Sequence, residues 1–378
     1  MSLIVLQQKV QTALTQIIQE NLNVFNQASN NTLMLTSDVG SGDTIEQLSW
    51  GLISGLVSDR NAYAAAGTPA FHKVLTQLQA NKIVMSGRVG PLVVTNGMLN
   101  KLNQNIDQIA AQFSADAAQM VLQKYVRVAF GAALGAISTN PAAVRTQSAP
   151  IAPTAPVGSL FPTLREMELT AALFGDQSSN ISAWLMTGMQ YSALQAYDVI
   201  DNPHELFTID GVRVVSDANG RRFVVSDALN SGNRIVGLTQ AAVVVGSSGQ
   251  DVRTGQDIGG ENVTNIIRAD FDYSVAVKGY RVKASVAQQY NGIKSYDEAA
   301  ATNAANWELV ANVGQDNAPN TIDGVNPNVS NAGGKGGNTG TLMQQDPQGV
   351  IPISVKETAG VIMTLTPSTV TNQTVAGS

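Results

Sequence analysis

The sequence predicts a mixed α+β protein built on one very long helix, an extended β-arm and a β-rich second half. Three observations carry this. Residues 99–137 keep apolar side chains at three- and four-residue spacing, with no proline before Pro141. Residues 44–95 hold short apolar stretches separated by Gly, Pro, Ser and Asn, as the strands of a long hairpin do. Residues 206–287 contain several β-branched runs, two of which flank Asn219-Gly220, a strong local hairpin signal.

Composition narrows the function. The 378 residues contain no cysteine, which removes disulfide frameworks, thiolate zinc sites and cysteine nucleophiles together. Only His72 and His204 are present, so imidazole metal cages and histidine relays are not expected. Charged residues make up 13%, against about 25% in an ordinary soluble domain. Depleted charge suits a surface covered by neighbours, and composition alone fits a weakly charged secreted or β-rich protein equally well. The net charge is −6, and Arg221-Arg222 is the one basic cluster, so a duplex-reading face is not expected. No apolar run reaches the roughly 18 residues of a membrane span. The N-terminus lacks a basic stretch followed by a sustained apolar one, which points to a cytoplasmic product.

Taken in order, Leu3, Val5, Leu6, Val10, Leu14, Ile17, Ile18, Leu22 and Phe25 predict an amphipathic helix over residues 3–28. Residues 36–43 read as a loop. The arm over 44–95 has too few large apolar residues to fold alone, so it must lie on something. In the long helix, Ile106, Ile109, Ala110, Phe113, Ala117, Met120, Val121, Lys124 and Val128 form one stripe. Asp107 and Asp116 precede Lys124 and Arg127, as the helix dipole prefers. About 35 residues at 1.5 Å each predict a rod of roughly 50 Å.

Five prolines make 141–162 an extended connector. Thr163 with Glu166 reads as a capping box for a helix running to Phe174. Ile181 to Met186 reads as a strand, followed by a helix at about 190–197. Leu238 to Val245 predicts one apolar strand, and residues 263–287 predict two more, with a turn or bulge at Gly279. Residues 296–311 read as a short helix. Residues 314–349 are rich in Asn and Gly and should tolerate deletion, and Val350–Val355 and Val361–Leu365 read as closing strands.

No chemistry-bearing cluster emerges, so no catalytic, cofactor or metal residue is assigned. The run around Gly333 and Lys335 has Val329 and Gly336 where a phosphate loop needs Gly and Ser or Thr. Asp270 and Asp272 share a strand face, which reads as a solvated face rather than a carboxylate pair for metal or acid–base work. His72 and His204 have no second ligand at helical spacing. Lys73 or Lys82 could donate to an isopeptide bond, but that chemistry needs a buried carboxylate beside an Asn, which sequence does not reveal.

The order of elements resembles the tailed-bacteriophage major capsid proteins of the Hong Kong 97-like fold. Gly42-Asp43-Thr44-Ile45 at the arm's start, Val89 to Thr95 at its end, Ile181 to Met186, Gly211 to Asp217 and Ala301 to Val310 are similar to that family's segments. The resemblance covers about residues 1–313. It implies an N-terminal arm (1–36), an extended β-arm or E-loop (37–97), and a peripheral domain with a long spine helix and β-layer (98–200). A β-rich axial domain (201–262), return strands and helix (263–313) and a C-terminal extension (314–378) follow. It further implies a homo-oligomer of pentamers and hexamers forming an icosahedral shell around packaged DNA, without sequence-specific binding and without a membrane.

The arm before the loop is too short for a fused scaffolding domain, so a separate scaffolding protein is implied. A portal protein and a decoration or cement protein are further expected partners. Leu52, Leu56, Arg60, Lys82, Val84 and Arg88 are the candidate inter-subunit contacts. Residues 1–28 and 55–85 are expected to cross to neighbours. An encapsulin-like compartment shell would share the fold, and a bacterial surface or fibre protein is a further alternative that would need an export signal.

Overall fold

A computed structural model of the chain describes residues 3–37, 44–50, 77–95, 97–98, 101, 106–147, 162–197, 203–209, 211–217, 220–227, 229, 232–259, 263–283, 286, 296–310, 312–313 and 355–367. The first part supplies α1 (Leu3–Ala28), β1 (Leu33–Thr36), β2 (Thr44–Trp50), β3 (Gln77–Thr95) and α2 (Ile106–Ile137). The middle supplies β4 (Val144–Thr146), α3 (Leu164–Ala171), β5 (Ile181–Met186) and α4 (Gly188–Tyr197). Strands β6 (His204–Ile209), β7 (Val212–Ser216), β8 (Arg222–Val225) and β9 (Arg234–Thr239) come next. The remainder adds β10 (Val243–Ser247), β11 (Asp251–Asp257), β12 (Thr264–Val277), β13 (Tyr280–Val282) and α5 (Glu298–Thr302). Strands β14 (Trp307–Leu309), β15 (Asn312–Val313) and β16 (Gly360–Thr364) complete it.

Helix α1 has the predicted rhythm: Val10, Leu14, Ile18, Leu22 and Phe25 are buried. They join the main core of their own chain, where Phe25 meets Phe207 edge to face with centroids 5.6 Å apart. The expectation that residues 1–28 cross to a neighbour meets an apolar face that the single chain already covers. The last turn of α1 carries no basic residue. Arg222, far along the chain, supplies one, donating from Nη1 to the carbonyls of Gln27 and Ala28 at 2.6 and 2.5 Å. A cation at these last carbonyls also meets the negative end of the helix dipole. Asn30 and Asn31 then turn the chain at φ 59° and 53°, a left-handed region that Asn tolerates. The Asn26 amide holds the backbone of Leu35 at both its groups, which starts β1, a strand that the sequence reading omits.

Helix α2 runs unbroken over 32 residues, about 48 Å at the standard rise. Part of it, Ala111–Ile137, is apolar enough to cross a membrane by length and composition, against the sequence expectation, but its most apolar window is 78% buried inside the protein. The predicted stripe holds at Ala117, Val121 and Val128, which are buried, but not throughout. Met120 is 61% exposed, while Tyr125, which the stripe omits, is fully buried. Tyr125 packs edge to face on Phe271 and tilted on Tyr273, with centroids 5.9 and 5.8 Å away. Lys124 and Arg127 do not serve the helix end. Lys124 lies 5.5 Å from the Tyr273 ring centre, and Arg127 holds Glu298 of α5 at 2.5 and 2.7 Å. Gly135 lets α5 come close: a Cβ there would sit 2.6 Å from the Thr302 carbonyl oxygen.

Two sheets share this helix core. In the first, β3 is the long central strand. It pairs with β2 as the predicted hairpin, Thr44 opposite Ile83 and Trp50 opposite Gln77. Beyond Ile83 it pairs with β12 as far as Thr95 opposite Thr264. The register shifts between Ile267 and Ala269, where Gly90 at φ +87° and Pro91 stand out of the ladder. Proline has no N–H to give a ladder, so a bulge is where it fits. Strands β10 and β11 line the other edge of β12, and β1 joins β10 in parallel.

The second sheet has the order β4-β16-β9-β5-β8-β7-β6. The Asn219-Gly220 signal holds, since β7 and β8 pair antiparallel, Ser216 opposite Arg222. Both faces of this sheet are buried. Leu185, Val214, Val224, Val236 and Ile362 face the main core, while Trp184, Met186, Phe223, Ile235 and Met363 face a second core under α3 and α4. A sheet covered twice reads as continuous apolar runs, which explains the Val-Val pairs.

Several boundaries differ from expectation. The apolar run 238–245 is two strands in different sheets, β9 and β10, parted at Ala241 with φ 53°. The helix from Thr163 ends at Ala171 and tightens into a 3-10 segment to Asn180. Thr163 caps it by accepting from the Glu166 N–H at 3.3 Å, but the Glu166 carboxylate accepts from Arg145 at 3.3 Å instead of closing the box. The helix expected over 296–311 stops at Thr302, and Trp307 opens β14, its indole donating to the Ala301 carbonyl at 2.7 Å. Residues 141–146 of the connector form a 3-10 turn and β4. Residues 148–161 and 314–354 lie outside the described residues.

Candidate assembly surface

The first sheet has one covered face and one open one. Ile267, Ala269, Phe271 and Tyr273 of β12 point to the core, while Arg268, Asp270 and Asp272 point outward. Strand alternation puts Lys82, Val84, Ser86 and Arg88 of β3 on that same outer face, since Ile83 and Met85 are buried on the other. Arg88 stands opposite Asp270, and Val84 opposite Ser274. Lys82 stands opposite Ile45, at the root of the arm. Three of the six predicted contacts therefore share one face. Leu52, Leu56 and Arg60 lie outside the described residues, as does His72.

The outer face is a ladder of charge. Asp251 of β11 stands opposite Asp270, and Arg253 opposite Arg268. Like charges directly opposite normally destabilise a strand pair. Each is neutralised along its own strand: Arg253 holds Asp251 at 2.8 Å, and Arg268 holds Asp270 at 2.8 Å. Asp272 accepts from Ser86 at 2.6 Å, and its own N–H donates to Ser248 at 2.8 Å. Exposed pairs like these add little stability. Asp251, Arg253 and Arg268 are absent from the sequence-predicted set. The alternation of Arg268, Asp270 and Asp272 was visible, but the pairing of β11 beside it was not.

Asp270 and Asp272 thus each have their own partner and do not form a carboxylate pair. Among the described residues, no group of three or more His, Asp or Glu could hold a metal ion. His204 is exposed on the edge strand β6, opposite Ser216. The basic pair is spent inside the fold, Arg221 on Glu168 and Arg222 on the end of α1. A polar cleft of about 680 Å³, lined by Asn30, Asn31, Ser179, Asn180, Gln240 and Lys278 among others, opens between the sheets.

The strongest titration effects lie in the core. Burial pushes the Tyr125 and Tyr280 hydroxyls up to about 12, opposed at Tyr125 by its hydrogen bond with Ser247. Burial also raises Tyr273. A raised tyrosine value means stability that is present below pH 10 and lost as the pH climbs towards 12, because only the unfolded chain ionises in that window. Two units correspond to about 3 kcal/mol per tyrosine. The urea midpoint should therefore fall sharply between pH 10 and 12. A Tyr125→Phe/Tyr280→Phe variant should be distinctly less sensitive, and an equal fall in it would disprove the cause.

A sheet braced by a long helix, with a hairpin arm continuing its central strand and ion pairs along its outer face, suits a structural subunit. The family model described as "Gp13-like: Major capsid protein 13-like" matches residues 2–318, and the chain belongs to that family of phage major capsid proteins. It is similar to the solved structure "Microbacterium phage Oxtober96", at 16% identity and TM-score 0.42, covering 66% of this chain and 84% of that one. Similarity to "Capsid of Ralstonia phage GP4" is at 9% identity and TM-score 0.45, covering 66% and 84%. For "Cyanophage Pam1 capsid asymmetric unit" the values are 12% and 0.43, covering 64% and 83%. No curated protein sequence matches the chain. The expected α+β capsid fold and structural role stand on the family match.

Proposed function

We propose that copies of this chain associate as pentamers and hexamers into the closed icosahedral shell of a tailed-phage head, around packaged double-stranded DNA. The observation that carries this is the family match over residues 2–318, joined to a hairpin arm that continues the central strand β3 beyond its pairing with β12. In this reading the shell assembles in the host cytoplasm on a separate scaffolding protein, with portal and decoration proteins as further partners. The domain limits set out from the sequence, from the N-terminal arm at 1–36 to the extension at 314–378, are part of the same proposal. Lys82, Val84 and Arg88, with Leu52, Leu56 and Arg60, make the contacts between subunits. A net charge of −6 keeps the wall from binding phosphate, which needs clustered cations.

Each subunit makes several weak contacts, and closure multiplies them. Sedimentation of purified chain with its scaffolding protein should show shells above a sharp threshold concentration and small species below it. A mass that grows smoothly with concentration, without closed particles in negative stain, would refute the reading.

A further inference from the structure

Strand β16 lies beyond residue 318, where the family match ends. It is nevertheless an interior strand of the second sheet. It runs antiparallel to β9, with Val361 opposite Gly237 and Met363 opposite Ile235, and parallel to β4, with Ile362 opposite Val144. Among the described strands, β4 pairs with nothing else. Both flanking strands belong to the matched region. The matched residues alone therefore leave a slot one strand wide, and the C-terminal segment fills it.

The fit is close on every side. Ile362 enters the main core, while Val361, Met363 and Leu365 enter the second. Thr239 donates to the Ala359 carbonyl from both its N–H, at 2.9 Å, and its hydroxyl, at 3.1 Å. At the other end Gln147 N–H donates to Thr364 at 2.8 Å, and Leu365 N–H to Asn233 at 2.6 Å. Thr366 closes the rim by donating to the Gln147 carbonyl at 2.7 Å. Lys356 pairs with Asp176 just before the strand. At Gly360 a Cβ would overlap the Gly237 carbonyl oxygen, a backbone atom that cannot swing aside.

We propose that residues 355–367 are a strand-shaped ligand carried by the chain itself, and that the cleft between β4 and β9 is a peptide-binding groove. Backbone bonds along both edges give the groove affinity, and alternating side-chain pockets on its two faces give it selectivity. It takes an extended segment that begins with glycine and is apolar on both faces. The assignment is independent of the shell reading, because it concerns the single subunit.

The test cuts the tether and leaves the strand. A protease recognition sequence is inserted between residues 334 and 335 of the full chain, and the purified protein is cleaved and passed through gel filtration. The C-terminal fragment should co-elute with the remainder and separate only in denaturant. The urea midpoint of the cut protein should rise with protein concentration, as for any bound partner. Gly360→Val should release the fragment at least tenfold more readily. Separation of the wild-type fragment after cutting overturns the proposal, whatever the remainder does. Retention of the Gly360→Val fragment as tight as wild type overturns the groove's geometry. If that variant does not fold, the cut wild-type protein decides alone.

Discussion

Excising residues 51–76 and joining Trp50 to Gln77 through an Asn-Gly turn is expected to give a folded subunit that makes no closed shells. Trp50 and Gln77 are already opposite each other at the end of the β2–β3 ladder, so a two-residue turn closes the hairpin without moving either strand. Everything that β3 contributes to the core, Ile83 and Met85 above all, stays in place. The cut must fall there. A deletion over 55–85, which the sequence alone suggests, would take those two buried side chains with it and confuse assembly with folding. Removing residues 51–76 leaves Lys82, Val84 and Arg88 on the outer face but takes away Leu52, Leu56 and Arg60. Circular dichroism and the urea midpoint should match wild type, while sedimentation should lose the particle peak entirely. Particles of normal size from the shortened chain would sink the idea that the arm joins subunits.

Much of this architecture is legible in the sequence because its signals are periodic. Helices α1 and α2, the hairpin arm, the β7–β8 turn and β16 each follow from spacing or turn chemistry in a single window. What escapes is set by partners distant in the chain. Nothing local separates β9 from β10 in the run 238–245; the break exists because one strand belongs under α3 and α4 and the other beside β12. Met120 and Tyr125 exchange roles for a similar reason. The buried face keeps Ala117, Val121 and Val128 and widens on the side of Tyr125, where the aromatic pair Phe271 and Tyr273 receives it. The candidate surface was half legible. Alternation along β3 places Lys82, Val84 and Arg88 together, but the opposing charges of β11 become neighbours only through a pairing that spans the chain.

Deleting residues 1–28 should unfold the subunit rather than merely prevent assembly. Val10, Leu14, Ile18, Leu22 and Phe25 are each less than a tenth exposed within their own chain. Losing one such side chain costs about 2–5 kcal/mol. A whole domain has a margin of only about 5–15 kcal/mol, so losing five together exceeds what the fold can bear. Removal also strips Arg222 of the Gln27 and Ala28 carbonyls that hold it. Milder variants grade the effect: Leu14→Ala and Phe25→Ala should each lower the urea unfolding free energy by about 2–5 kcal/mol while shells still form at low temperature. The alternative is that this helix swings out and lies on a neighbour once assembled. In that case a chain starting at residue 29 would keep its circular dichroism and urea midpoint and lose only its particles. The covered apolar face of α1 and its capped C-terminus both argue for the first outcome, and near-ultraviolet circular dichroism of the truncated chain distinguishes the two.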